Sequence, residues 1–294
     1  MHLGMSKDMN LSVAPCYSKT GYFKSLDGTA LFYRHHLADK PKASILIVHG
    51  FGEHSGRYSH LIDRLLVDNF EVFSFDLRGH GNSQGSRGDV VKFSNYVEDA
   101  QAALEFAQSL QNHQGKLFIL AHSMGALVTL KLMTKISPNI GGLVLSSPLF
   151  ALSLAVPWYK KHLGTVATCL FPKLPLKSTI RGCHLSSDQS FSAAYDNDPL
   201  ILKSVSIRAF RQILLALTQT SKLASNIHTP FLMQIAGKDL VVDSNAALTW
   251  FKNVKDNAPD RSLKIYPHFL HEIFNEKNRD EPINDAIEWF NKRV

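Results

Sequence analysis

The chain alternates two kinds of apolar pattern. Short runs rich in β-branched and aromatic residues occupy residues 44–49, 70–76, 116–121, 142–147, 230–237 and 262–266. Such near-continuous apolar runs are the pattern of strands buried on both faces. Between or after them, stretches at 58–67, 93–110, 124–136, 244–252 and 281–292 repeat their apolar positions at the helical period. Ahead of these, residues 21–24 and 29–36 flank Asp27-Gly28, whose glycine accepts a positive φ, and this predicts a β-hairpin. Strands separated by helices pair in parallel, because parallel neighbours need crossover connections. The expected architecture is α/β: a mostly parallel central sheet flanked by helices, with the hairpin extending one edge antiparallel.

Residues 148–228 break this rhythm. They hold several prolines, helical apolar stretches and no convincing strand. An insertion of this length between two sheet strands reads as a helical cap, or lid, placed after the sixth strand. All 294 residues are then expected to form a single domain, with the cap at 148–228 inside it.

With 45% hydrophobic and 19% charged residues, the composition is that of a globular protein. Three scattered cysteines, Cys16, Cys169 and Cys183, give neither a disulfide framework nor zinc-ligand spacing, so a reducing compartment is expected. Residues 1–19 lack the apolar core of a secretory signal, and no segment reaches the roughly 18 apolar residues of a membrane span. The expectation is a cytoplasmic protein that can also sit peripherally at a membrane.

The net charge of +7 sits almost entirely in one place. Residues 148–228 carry nine Lys and Arg against three Asp, while the remainder holds 23 basic and 22 acidic residues. A basic cap without interleaved aromatic stacking residues argues against a nucleic-acid partner. Within it, residues 151–172 are largely apolar, with Lys160 and Lys161 their only charges. That pattern suits transient contact with an anionic membrane surface, and equally a lid that covers an acyl tunnel.

The chemistry is carried by three loops. After the run at 116–121 the chain reads Ala121-His122-Ser123-Met124-Gly125-Ala126 and continues directly into a helix. A serine on a sharp strand-to-helix turn, with small residues two positions either side, is a nucleophile elbow; Ala121 stands where the first glycine is usual. The Met124 N–H, at the helix N-terminus, is then one oxyanion donor. A serine that only caps the helix is the plainer alternative. After the run at 44–49 come Gly50-Phe51-Gly52, a glycine-rich loop suited to supply a second donor, the Phe51 N–H. The acid is expected after residues 230–237, at Asp239, with Asp243 a nearby rival better suited to capping the next helix. The base is expected in the loop after 262–266, where His268 and His271 compete, His271 being favoured.

With these residues in hand the chain resembles the monoacylglycerol lipase and lysophospholipase family of α/β-hydrolases. The likeness runs from about Gly21 to the end. It is strongest in the segment from His49 through Glu53, Arg57 and Tyr58, in Asp76-Leu77-Arg78-Gly79-His80-Gly81-Asn82-Ser83 and in His122-Ser123-Met124-Gly125. Ala194-Tyr195-Asp196-Asn197-Asp198-Pro199-Leu200, Gly237-Lys238-Asp239 and His271-Glu272 also match. The resemblance implies a Ser123, His271, Asp239 triad in an α/β-hydrolase fold, and polar residues Glu53, Arg57, His122 and Tyr195 at the alcohol end of the site. Glu53 and Arg57 could instead form an ion pair that fixes their loop. The implied activity is serine hydrolysis of carboxylic esters of lipid-like substrates, monoacylglycerol or lysophospholipid, through an acyl-enzyme, without metal or organic cofactor. A carboxylesterase of small non-lipid esters and a non-catalytic lipid-binding module are the alternatives. The sequence carries no signal for oligomeric state.

Overall fold

The computed structural model describes residues 17–153, 170–254 and 260–294. The strands are β1 (Tyr17–Lys24), β2 (Ala30–Leu37), β3 (Ala43–Val48), β4 (Phe70–Phe75), β5 (Leu117–His122), β6 (Gly142–Ser146), β7 (Pro175–Lys177), β8 (Ser204–Ser206), β9 (Phe231–Ala236) and β10 (Arg261–Tyr266). Eight of them form one sheet in the order β1-β2-β4-β3-β5-β6-β9-β10. From β4 to β10 every neighbour is parallel, while β2 runs antiparallel to both β1 and β4. This is the expected α/β-hydrolase sheet. The hairpin begins at Tyr17 rather than at residue 21, because the polar residues ahead of Gly21 continue the ladder with β2.

The helices are α1 (Ser59–Val67), α2 (Phe93–Leu110), α3 (Met124–Ile136), α4 (Gly182–Leu185), α5 (Gln189–Asn197), α6 (Ile207–Leu217), α7 (Thr220–Ala224), α8 (Ser244–Asn253) and α9 (Asp280–Asn291). They cover both faces, and the two-residue period of a strand decides which side chain meets which helix. Leu46 and Val48 of β3 point into the cluster shared with Val97, Leu127 and Trp250 from α2, α3 and α8. Ile45 and Ile47 join the opposite cluster with Leu61, Ile283 and Phe290 from α1 and α9. Each such fully buried side chain contributes about 1.5–3 kcal/mol, so the apolar runs specify the sheet's position between two helical layers.

Between β6 and β9 lie α4 to α7, together with a small second sheet in which β7 and β8 pair antiparallel. No strand was expected here. The two are three residues each, β7 is exposed throughout, and neither is long enough to show an alternating pattern. Most of the apolar stretch 151–172, with Lys160 and Lys161, lies outside the described residues, as do Cys16 and Cys169; Cys183 is exposed.

Candidate active site

The loops that follow β3, β5, β9 and β10 converge at the C-terminal ends of the parallel strands. β5 ends at His122 and α3 begins at Met124, so Ser123 alone turns the chain, with φ 52° and ψ −118°. A non-glycine residue held there is strained by about 1–3 kcal/mol and persists only where its surroundings over-determine it. Those surroundings are visible: Ser123 N–H donates to the Ser146 carbonyl at 2.9 Å, and its own carbonyl accepts from Leu149 N–H at 3.1 Å. Gly125 is required because a Cβ there would collide with the carbonyl oxygens of Val48 and His49. Ser123 makes no side-chain capping bond to α3. The helix-cap alternative therefore has no hydrogen bond behind it.

The Ser123 hydroxyl lies 2.9 Å from His271 Nε2, and His271 Nδ1 lies 2.7 Å from Asp239 Oδ2. The other oxygen, Asp239 Oδ1, accepts from the N–H groups of Val241 and Val242 at 2.8 and 2.9 Å, which fixes the carboxylate after β9. Asp243 takes the separate part expected of it: its side chain caps α8 by accepting from Asn245 and Ala246 N–H. His268 is exposed and outside this chain of bonds, whereas His271 is buried. Burial disfavours protonation of His271, but the charge and hydrogen bond of Asp239, helped by Glu272 and Glu53, outweigh it and raise its pKa above the ordinary histidine value. For Asp239 burial acts upward, and His271 with the two backbone N–H groups brings the net below the usual carboxylate range.

The N–H groups of Phe51 and Met124 meet no acceptor among the described residues. The Phe51 loop is anchored from the segment between β6 and β9: Leu202 N–H donates to the Gly52 carbonyl at 2.9 Å, and His54 Nε2 pairs with Asp198 Oδ2 at 2.8 Å.

Of the four residues expected at the alcohol end, one stands beside the histidine. The His122 ring centroid is 4.8 Å from that of His271; burial, then the neighbouring His271, hold its pKa down to about 3, so it is neutral. Tyr195 stacks against the Arg57 guanidinium at 4.9 Å. Glu53 and Arg57 are engaged with protein partners. Glu53 Oε1 accepts from Gly50 N–H and Tyr58 OH, and Arg57 Nε lies 3.7 Å from Glu53 Oε2, an ionic contact longer than a hydrogen bond. Arg57 Nη2 donates to Glu272 Oε2 at 2.5 Å. No pattern in the sequence predicts this partner for Arg57, although an acidic residue next to the expected base is a signal that points to Glu272.

Residues 39–278 match the family described as serine aminopeptidase, S33 (Hydrolase_4). The chain is 34% identical over 88% of its length to the uncharacterized protein YnbC of Escherichia coli, of which it spans 44%. It is 30% identical over 85% of its length to phospholipase YtpA of Bacillus subtilis, covering 95% of that protein. With human monoglyceride lipase it is 32% identical over 87% of its length, covering 85% of the lipase. Among solved structures, the monoacylglycerol lipase of Paleococcus ferrophilus superposes with a TM-score of 0.80 at 26% identity, over 90% of this chain and 99% of that one.

Proposed function

The chain belongs to the serine aminopeptidase S33 (Hydrolase_4) family, and on that premise we propose that it is a serine hydrolase that cleaves the carboxylic ester of single-chain glycerolipids, monoacylglycerol or lysophospholipid. The observation that carries the reading is the unbroken series of hydrogen bonds from Ser123 through His271 to Asp239. His271 takes the Ser123 proton as the hydroxyl oxygen attacks the ester carbonyl, and Asp239 holds the imidazole in the tautomer that can accept it. The Phe51 and Met124 N–H groups receive the oxyanion. His271 then protonates the leaving alcohol, whose hydroxyls face His122 and Tyr195, while Glu53 and Arg57 hold the loop that shapes this end of the site. Water, activated by the same histidine, releases the acid from Ser123.

The segment 148–228 acts in this reading as a lid that meets lipid surfaces. Leu170, Phe171 and Leu174 are 67%, 63% and 52% exposed, with Lys173, Lys177 and Arg181 exposed beside them. Apolar side chains flanked by cations suit an anionic interface. No helix among the described residues is long and apolar enough to cross a membrane.

Hydrolysis of a panel of monoacylglycerols, lysophospholipids and short p-nitrophenyl esters tests the substrate class, with fluorophosphonate labelling to test the nucleophile. Glycerolipids with one acyl chain should rank first and Ser123 should carry the label. A protein that neither labels nor turns over any ester is the binding module instead. Sedimentation with vesicles should increase with anionic lipid and decrease with salt; indifference to lipid charge rejects the interfacial lid.

A further inference from the structure

The backbone of the loop after β3 is held by two hydrogen bonds to which the reaction above gives no part. Glu53 Oε1 accepts the Gly50 N–H at 2.6 Å and so fixes the His49–Gly50 peptide. The next peptide, Gly50–Phe51, is held by the His49 ring, whose Nδ1 lies 2.7 Å from the Gly50 carbonyl oxygen. A carbonyl only accepts, so Nδ1 carries the proton. The other ring nitrogen, Nε2, accepts the Leu77 N–H at 2.9 Å, which independently selects the same tautomer. His49 is fully buried; burial lowers its pKa against the pull of Glu53 and Asp76, and the ring stays neutral, as both bonds require.

Carbonyl and N–H point in opposite directions across a planar trans peptide. With the Gly50 oxygen held against the imidazole, the Phe51 N–H faces away from it and meets no acceptor among the described residues. The loop runs hard against the nucleophile: a Cβ on Gly50 would lie 3.1 Å from Ser123 Cβ. Gly50, which has no Cβ, offers little steric resistance on its side to a flip of the Gly50–Phe51 peptide. In a flipped peptide the Phe51 N–H would confront the His49 Nδ1–H, donor against donor.

We propose that His49 is a positioning residue of the oxyanion hole, whose Nδ1–H locks the Gly50–Phe51 peptide so that the Phe51 N–H stays free for the substrate oxyanion. This rests on Ser123 being the nucleophile. Two substitutions separate the two ring nitrogens. His49→Asn keeps a short amide donor for the Gly50 carbonyl but loses the acceptor for Leu77; His49→Gln reaches Leu77 with an acceptor and loses the short donor.

The assay follows kcat and KM on a soluble p-nitrophenyl ester, affinity for an acyl trifluoromethyl ketone that forms a tetrahedral adduct, and unfolding in urea. His49→Gln should lower kcat by about 10²–10³-fold, the effect of losing one oxyanion donor, with KM nearly unchanged and affinity for the ketone falling in parallel. His49→Asn should recover most of kcat while being destabilised to a similar extent. Equal losses of kcat that follow stability in both variants would make His49 merely structural and overturn the proposal. A wild-type protein that fluorophosphonate does not label at Ser123 overturns the underlying reading, and this proposal with it; labelling together with an unchanged kcat in His49→Gln overturns this proposal alone. If a variant fails to fold, the ¹⁵N shifts of the His49 ring in the wild-type protein decide: Nδ1 protonated from about pH 5 to 8 supports the lock, and the opposite tautomer rejects it.

Discussion

Arg57 and Glu272 form a buried ion pair, Nη2 to Oε2 2.5 Å, that ties the loop after β3 to the residue next to His271. Both side chains are 6% exposed, and Asn275 Nδ2 donates to the same Glu272 oxygen at 2.6 Å. The pair therefore sets the distance between the side of the site that would hold an oxyanion and the side that would move its proton.

Removing one partner of such a pair leaves a buried charge poorly compensated. Glu272→Gln should cost about 3 kcal/mol in urea unfolding, because Glu53 meets Arg57 only at 3.7 Å. The same change removes a negative charge that raises the His271 pKa. The acid limb of kcat/KM should therefore move to lower pH. An unfolding midpoint equal to the wild type would mean that Glu53 alone compensates Arg57.

The pH dependence has a definite sign. In the proposed mechanism His271 must be neutral to accept the serine proton, and its folded pKa lies above the ordinary histidine value of about 6.5. Activity should thus decline as pH falls through a midpoint above that value. Asp239→Asn removes the group that most raises it, so the limb should move below the wild-type midpoint while the maximal rate drops by about 10⁴-fold. For stability the same shift works the other way: the extra stability from protonated His271 is fully present below the unfolded pKa and is lost as pH rises through the folded pKa. A wild-type acid limb centred below 6.5 would contradict both statements.

Ser123→Ala should lower ester hydrolysis by about 10⁴-fold or more, leaving at most the small acceleration due to binding and oxyanion donors. Circular dichroism and the urea midpoint should stay close to wild type. Activity within tenfold of wild type in the folded variant would move the nucleophile elsewhere.

His268 and His271 should separate by stability as well as by rate. His271→Ala should abolish turnover, whereas His268→Ala, an exposed substitution, should change stability by about 0.5 kcal/mol or less and leave kcat near wild type. A reversal of that order in steady-state kinetics would assign the base to His268.

The sheet was legible in the sequence because β3, β4, β5 and β9 are buried along their whole length and read as near-continuous apolar runs. The elbow was legible because its signal is local: one serine, two small residues, a strand before and a helix after. Spacing favoured His271 without settling it against His268, since both fall in the same loop; the family likeness implied His271, and the structure hydrogen-bonds His271 to Asp239 and Ser123. The pairing of Arg57 with Glu272 was hidden because its partners are 215 positions apart, and no local pattern announces such a contact. Strands β7 and β8 escaped for the opposite reason, being too short and too exposed to leave a pattern.

The Ser123 hydroxyl and His271 Nε2 are separated by 148 positions, with β9 and β10 formed between them. During synthesis the elbow can fold against β3 and β6 well before the strand that delivers its histidine leaves the ribosome. Until then the serine has no base within reach. With Ser123 and His271 in the proposed roles, a nascent chain carries its nucleophile without its base, and ester turnover on stalled chains of increasing length would report completion of the sheet.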